Sequence, residues 1–241
     1  MTYKMKLKFV LLLLFCSTFA LAQEPKKWYE RPLRISALQC NFENETYSVI
    51  DKWVEMGFNT EQLFHPMADI YSAIYDKEKH KGLLTEYIRR AHTKGMKVIL
   101  YLNVHILGPS IDDKKDIWSQ KNKSGQIVNL YGTYPSICLN SSWRDYFFKV
   151  LDDLGETDID GIFLDGPVIA KPGCFCDYCK AKYKAKYGEG FGSDSVLAWE
   201  FNAWTRDDFL QSAYNHWKKN NPEKIFYLNL PVLHSARGYV N

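Results

Sequence analysis

The feature that most constrains the fold is a regular alternation of short apolar segments with amphipathic ones. The apolar segments are bounded by Gly, Pro or polar residues and are predicted to be β-strands, at residues 33–38, 58–64, 97–104, 159–164 and 225–230. Apolar residues at helical spacing predict helices at residues 46–56, 83–93, 143–154, 178–187 and 196–220. Strands that alternate with helices pair in parallel through right-handed crossovers, so an α/β fold is predicted.

Doubly wound sheets and (β/α)8 TIM barrels both satisfy this alternation. A TIM barrel is favoured, because no Gly-x-Gly-x-x-Gly follows the first predicted strand. Long loops also follow the third and fourth strands, and barrel active sites are built from such loops. A complete barrel needs eight units and about 250 residues, whereas only five units fit into the 241 residues here. We therefore expect residues 34–241 to be a partial (β/α) barrel, a fragment with about the first five units, and an open sheet is the alternative.

The N-terminal residues 1–22 have the organisation of a secretory signal peptide. Three lysines precede an apolar run, and Ala20-Leu21-Ala22 forms an A-x-A cleavage site. Because the run is short and ends in small residues, cleavage after Ala22 is favoured over a membrane anchor. We expect an exported protein, periplasmic or secreted, with residues 23–33 as a lead-in linker and no stable membrane span after cleavage.

The charge pattern gives no reason to expect a nucleic-acid partner. The formal net charge is +3, and the lysines are scattered along the chain rather than clustered.

Five cysteines remain after the signal peptide, an odd number that a pure disulfide framework cannot use completely. Cys174, Cys176 and Cys179 form a C-x-C-x2-C pattern, and tetrahedral zinc needs a fourth thiolate. Cys138 is favoured over Cys40, because it lies near the helix that leads into the fourth strand. A disulfide with free thiols is the alternative for an exported protein.

Asp165 is the main candidate for catalysis. It follows Ile162-Phe163-Leu164 at the carboxyl end of the fourth predicted strand, between Gly161 and Gly166. Glycoside cleavage passes through an oxocarbenium-like state flanked by two carboxylates, and a strand-end carboxylate suits that task. The alternative is that Asp165 only caps the following turn. Glu61, within the second strand, is a minor alternative carboxylate.

Polar and ring-bearing side chains follow other predicted strands, where a barrel would gather them around one mouth. The candidate sugar-binding residues at these positions and in the third loop are His65, Asn103, His105, Tyr134 and Asn229. Tyr131 is a further candidate for stacking on a sugar, whereas loop packing is favoured for Trp118.

Three stretches together resemble TIM-barrel glycoside hydrolases: residues 137–151 (ICLNSSWRDYFFKVL), residues 160–167 (DGIFLDGP) and residues 174–188 (CFCDYCKAKYKAKYG). They resemble the glycosyl-hydrolase-like family 6 group and, in the cysteine part, the family 42 beta-galactosidases. The latter resemblance implies a structural zinc site at the positions of Cys138, Cys174, Cys176 and Cys179. In family 42 the strand-four residue is a Glu acid/base preceded by Asn, whereas here it is Leu164-Asp165. In alpha-fucosidase-like and alpha-galactosidase-like barrels an Asp ending strand four is the nucleophile, which the FLDG context resembles more.

The leading hypothesis is an exported glycosidase that acts on oligo- or polysaccharides, retaining, with Asp165 as nucleophile and structural zinc as the only cofactor. Its acid/base partner is expected beyond residue 241. The alternatives are Asp165 as acid/base in a beta-galactosidase-like site, a non-catalytic carbohydrate-binding barrel, and a metal-dependent hydrolase that uses His65 and His105.

Overall fold

The computed structural model describes residues 27–39, 47–64, 77–169, 173–188, 191 and 195–229. The chain divides into two units, Met1–Leu33 and Arg34–Asn241, and the first is described only from residue 27. Its described part contains a short 3-10 helix, Trp28–Glu30, and the backbone N–H of Lys27, just before the helix, donates a hydrogen bond to the Glu30 carboxylate. The predicted signal peptide lies outside the described residues.

The second unit alternates strands and helices as predicted. The strands are β1 (Ile35–Gln39), β2 (Thr60–Phe64), β3 (Lys97–Asn103), β4 (Asn129–Leu130), β5 (Tyr134–Pro135), β6 (Gly161–Asp165) and β7 (Ile225–Asn229). The helices are α1 (Ser48–Glu55), α2 (Lys77–Thr93), α3 (Lys115–Trp118), α4 (Trp143–Gly155), α5 (Asp177–Tyr187) and α6 (Ser195–Asn220), with a 3-10 helix at Pro109–Lys114. None of these described helices is both long and apolar enough to cross a membrane.

The main sheet has the order β1-β2-β3-β6-β7, and every neighbouring pair is parallel. Strands therefore follow one another in chain order across the sheet, apart from the small antiparallel β4-β5 hairpin in the loop after β3. Parallel pairing places the carboxyl ends of all five strands at one edge. In register across that edge, Asn103 of β3 pairs with Asp165 of β6, which pairs with Asn229 of β7.

The two faces of the sheet carry different residues. On one face, Leu63, Leu100 and Ile162 belong to the large buried cluster that packs against the helices. On the other, which we call the inner face, aromatic side chains lie next to one another across four strands. Phe64 stacks on Tyr101 with ring centroids 4.2 Å apart, and the ring centroids of Phe163 and Tyr227 lie 4.7 Å apart. Apolar strands buried on both faces are typical of parallel sheets.

The loop between β3 and α4 is more ordered than its polar composition indicates. Isolated bridges join Ile106 to Ser136, Ser119 to Ile137 and Lys121 to Ile127, around the β4-β5 hairpin. The sequence predicted only a long polar loop here, because two-residue strands are too short to show an alternating pattern.

Candidate functional site

The carboxylate of Asp165 lies at the carboxyl end of the sheet and accepts hydrogen bonds on both oxygens. Tyr101, on β3, donates its hydroxyl to Oδ2 at 2.6 Å, and Asn229, on β7, donates its amide to Oδ1 at 2.9 Å. The donors come from the two strands that flank β6, and Asp165 itself is partly buried. Parallel pairing thus fixes the orientation of a carboxylate that solvent still reaches.

An aromatic layer of the inner face lies beneath this carboxylate. The Tyr101 ring is held between Phe64 and Phe163, with centroids 4.2 Å and 5.8 Å away. Further along, burial raises the pKa of Tyr227 to about 12, and its neutral hydroxyl donates to Gln62 Oε1 at 2.5 Å. The layer thus places aromatic rings next to Asp165 on the inner face, while the carboxylate itself stays partly exposed.

His105 is adjacent to Asp165 through the backbone rather than the carboxylate. Its Nδ1 lies 2.8 Å from the Asp165 carbonyl oxygen, which can only accept, so Nδ1 carries the proton. Gly166 leaves room for this contact: at φ +104° its backbone approaches His105 so closely that an added Cβ would lie 3.0 Å from the His105 Cβ.

Asn103 shapes the same loop. Its side-chain Oδ1 accepts the N–H groups of His105 and Ile106, each at 3.1 Å, and its Nδ2 donates to the Ile106 carbonyl at 3.0 Å. The side chain is almost fully buried. The structure thus places Asn103 in the scaffold that presents His105.

The other candidate sugar-binding residues are distributed differently. Tyr134 is partly exposed and lines a separate cavity of about 360 Å³ beside Leu107, Ile111 and Lys115. Trp118 is buried, stacks on Tyr146 and donates its indole N–H to Ser142; this is the loop packing that the sequence favours. His65 lies outside the described residues.

Glu61 does not share a face with Asp165. It is fully buried on the helix-facing side, as Leu63 is, and accepts the hydroxyl of Tyr87 from α2. Glu61 and Asp165 are the only acidic residues in the described strands. The minor alternative that Glu61 points into the barrel is therefore wrong.

The structure brings Cys138, Cys174, Cys176 and Cys179 together as four buried free thiols. Their sulfur atoms all lie within 4.8 Å of one another, and Cys138 Sγ is 3.4 Å from Cys176 Sγ and 3.6 Å from Cys179 Sγ. Cys138 comes from the loop before α4, and the others come from the start of α5 and the residues before it. Cys40 lies outside the described residues.

This donor set fits a tetrahedral metal ion. Zinc bound by four thiolates at about 2.3 Å places the sulfurs about 3.8 Å apart, close to the distances here. Hydrogen bonds among the thiols lower the pKa of Cys176 but raise the pKa of Cys138, so the sulfur geometry, and not the titration of the thiols, carries the fit to a metal. Two N–H groups also point at sulfur: Lys121 N–H donates to Cys174 at 3.4 Å, and Asn140 Nδ2 donates to Cys179 at 3.3 Å. Such outer contacts orient metal ligands.

A buried amide connects the thiol cluster with the loop after Asp165. Gln120 Nε2 donates both to the Ile137 carbonyl, next to Cys138, and to the Val168 carbonyl, three residues after Asp165, at 2.9 and 2.8 Å. Immediately after it, the Lys121 carbonyl accepts the Phe175 N–H at 2.7 Å. The segment around Gln120 therefore contacts both cysteine segments and the Asp165 loop.

Sequence reasoning missed Tyr101, Gln120 and Asn140. Tyr101 could have been identified from the sequence, because it lies two residues before Asn103 and so shares its face of β3. Gln120 and Asn140 could not, since their partners are distant backbone and sulfur atoms that only the fold brings close.

Part of the chain matches a known family model. Residues 48–166 match the family model described as Hypothetical glycosyl hydrolase 6. The match includes Asp165 and Cys138 but ends before the other three cysteines. No curated protein matches the chain by sequence.

Several solved structures share the fold. An alpha-L-fucosidase isoenzyme 2 from Paenibacillus thiaminolyticus has a TM-score of 0.63 at 16% identity, over 85% of this chain and 33% of that one. A beta-galactosidase from the Antarctic haloarchaeon Halorubrum lacusprofundi has a TM-score of 0.66 at 13% identity, over 87% and 39%. An alpha-galactosidase from Thermus thermophilus has a TM-score of 0.53 at 14% identity, over 87% and 40%.

The chain thus spans a third to two fifths of the length of these structures. The predicted α/β fold and the predicted resemblance to TIM-barrel glycoside hydrolases are confirmed. Residues 48–166 match the hypothetical glycosyl hydrolase 6 family, and the chain has the fold of the corresponding part of a TIM-barrel glycoside hydrolase.

Proposed function

We propose that this chain belongs to an exported glycosidase of the retaining type, with Asp165 as the nucleophile. The observation that carries the proposal is the Asp165 carboxylate at the carboxyl end of β6, held by neutral donors from β3 and β7. Catalytic residues of TIM barrels come from these strand ends. The match over residues 48–166, which includes Asp165, supports glycoside hydrolysis.

In this reaction one oxygen of Asp165 attacks the anomeric carbon as the glycosidic bond breaks, giving a covalent glycosyl-enzyme. A general acid protonates the leaving oxygen, and the same group then deprotonates the water that releases the sugar. Tyr101 and Asn229 hold the carboxylate in place. Their hydrogen bonds use one acceptor site on each oxygen, and a carboxylate offers about four such sites.

The experiment first screens the full-length protein against a panel of aryl glycosides. The product of a cleaved glycoside is then followed by NMR to see which anomer forms first, and a 2-deoxy-2-fluoro analogue is used to trap the intermediate. We expect retention and a mass increase of one fluorosugar on the peptide that contains Asp165. Inversion, or a label on another residue, would contradict the nucleophile assignment.

A second candidate is a barrel that binds carbohydrate without cleaving it. It is favoured by one observation: among the described strands, no second carboxylate shares the inner face with Asp165. Oligosaccharide binding by a protein that cleaves none of the aryl glycosides would select this alternative.

We further propose that the four thiols hold a structural zinc ion, which would cross-link the Cys138 loop to the start of α5. Four thiolates leave no open position for water, so zinc would supply stability and not chemistry. Its effect would reach the loop after Asp165 through Gln120, which contacts Ile137, next to Cys138, and Val168, three residues after Asp165.

Elemental analysis of the purified protein tests the metal assignment. We expect one zinc per chain, lost in Cys176→Ser and in Cys138→Ser but kept in Cys40→Ser, the matched control for removal of a cysteine. A protein without zinc that has normal stability, or loss of zinc in the Cys40 variant, would refute this ligand set.

Export is proposed from the sequence of residues 1–22 alone. N-terminal sequencing of the protein from its native host should begin at Gln23, and a chain that keeps its first residues would contradict cleavage.

A further inference from the structure

The turn of the β4-β5 hairpin holds a tyrosine in an unfavourable backbone conformation. Tyr131 has φ 53° and Gly132 has φ 82°, and the Thr133 N–H closes the turn on the Leu130 carbonyl at 3.3 Å. Turns with positive φ at both central residues favour Asn, Asp or Gly at the first of them. In the described part of the chain, Tyr131 is the only non-glycine residue with a positive φ.

Packing does not explain why a tyrosine occupies this position. The Tyr131 side chain is 72% exposed, more than the other exposed large apolar and aromatic residues in the described part of the chain. An exposed aromatic ring on a strained backbone stabilises the fold little. Backbone strain of this kind often marks a functional position.

The ring lies beside the Asp165 site. It makes an edge-to-face contact with His105, with ring centroids 5.8 Å apart and planes at 89°. His105 in turn binds the Asp165 carbonyl oxygen at 2.8 Å. Whichever of the two rings supplies the edge, at least one face of Tyr131 remains open, which agrees with its exposure.

We propose that Tyr131 is a specificity-determining residue that stacks on a sugar ring at the mouth of the Asp165 site. A sugar presents C–H groups on the face of its ring, and the electron-rich face of an aromatic side chain attracts them. The His105 side chain links the Tyr131 ring to the Asp165 backbone, and its contact with the ring helps to fix the position of Tyr131. The inference rests on the proposed function, because the bound ring belongs to the glycoside that Asp165 attacks.

The test uses a pair of variants in the full-length protein. Tyr131→Asn removes the ring and supplies a residue that the turn favours, so it should unfold at the same temperature as the wild type or at a higher one. Tyr131→Phe keeps the ring and is the matched control. A fold defect therefore cannot account for a loss of binding in the Asn variant.

Binding is measured on an oligosaccharide array with each change made in an Asp165→Asn background, and KM is measured in the wild-type background. We expect Tyr131→Asn to weaken binding and to raise KM by about threefold to tenfold, and Tyr131→Phe to change neither by more than about twofold. Equal binding by the Asn and Phe variants, or no oligosaccharide binding by any of the proteins, would overturn the inference.

The outcomes separate this inference from the proposed hydrolysis. If Tyr131→Asn loses binding while the wild type cleaves no aryl glycoside, the stacking role stands and the proposed activity falls. If the wild type cleaves a glycoside and the KM of Tyr131→Asn is unchanged, the activity stands and the stacking role falls.

Discussion

Strand β6 begins directly after one aspartate and ends at another, and the two carboxylates have different partners. Asp160, at the amino end, lies 2.7 Å from both Lys97 Nζ and His92 Nε2 and accepts the Val98 N–H at 2.9 Å. Asp165, at the carboxyl end, accepts only neutral donors among the described residues, Tyr101 and Asn229.

The difference shows what each end of the sheet does. Burial alone would raise the pKa of Asp160, but the hydrogen bonds from His92, Lys97 and the Val98 N–H lower it below its ordinary value. Its charge is used within the protein to hold α2, β3 and β6 together. The Asp165 carboxylate has no cationic partner in the described part of the chain, which suits the nucleophilic role proposed for it. In TIM barrels the carboxyl ends of the strands carry the chemistry and the amino ends carry stability.

The largest expected effect is that of Asp165→Asn on activity. The amide has nearly the same shape but is a poor nucleophile, so turnover of aryl glycosides should fall by about a thousandfold or more. The free energy of unfolding, measured with urea, should fall by about 1 kcal/mol or less, because the amide oxygen can still accept a hydrogen bond from Tyr101 or Asn229. If Asp165→Asn is inactive because it unfolds, the carboxyl end of β6 does not differ from the amino end in the way proposed.

An aspartate-to-asparagine change at the amino end of β6 should instead lower stability and leave turnover nearly unchanged. Asp160→Asn weakens the contacts with Lys97 and His92, and hydrogen bonds to charged groups contribute about 1.5–3 kcal/mol each. We expect a loss of about 2 kcal/mol in the free energy of unfolding and, in the remaining folded protein, nearly unchanged turnover. Strongly reduced turnover at a temperature where the variant is folded would show that the ends are not separate in function.

The pH dependence of stability should follow Asp160. Because its folded pKa is lowered, its contribution is complete above the ordinary aspartate value of 3.8 and is lost as the pH falls through the lower folded value. Urea unfolding of the wild type and Asp160→Asn from pH 7 to pH 3 should therefore show a stability difference that narrows at the acid end. A constant difference would mean that packing, and not charge, holds Asp160.

The smallest expected effect is that of Tyr101→Phe. The change removes the hydroxyl that donates to Asp165 but keeps the ring that stacks on Phe64. We expect kcat/KM to fall by about tenfold, as for one hydrogen bond to a charged group. Tyr227→Phe is the control, since its hydroxyl donates to Gln62, and it should leave kcat/KM nearly unchanged. Equal effects of the two variants would point to the aromatic layer as a whole.

Much of the fold follows from the sequence, because the relevant signals are local. The apolar strands are bounded by residues such as Gly95 and Gly161, and all five parallel strands lie within two residues of their predicted bounds. The four cysteines were also predicted as a group, three of them from their C-x-C-x2-C spacing and Cys138 from its position before a helix and from the family resemblance.

Other parts of the site depend on contacts that no local pattern reveals. Asn103 lies at a strand end, as a ligand-binding residue would, yet its amide is used by the backbone of its own loop. The sequence marks Tyr131 only as one of several aromatic loop residues that could stack on a sugar, and the turn geometry and its contact with His105 distinguish it from the others. The sequence predicts which residues reach the mouth of a barrel better than it predicts their partners there.

The position of Gln120 also bears on the order in which the chain folds. Its partners Ile137 and Val168 lie 17 and 48 residues later, and the Lys121 N–H binds a sulfur 53 residues later. Contacts of such long range form late, because the intervening loop must close first. During synthesis the loop after β3 therefore cannot complete its contacts until Val168 and Cys174 have been made, and the Asp165 loop would acquire its final shape in the same step.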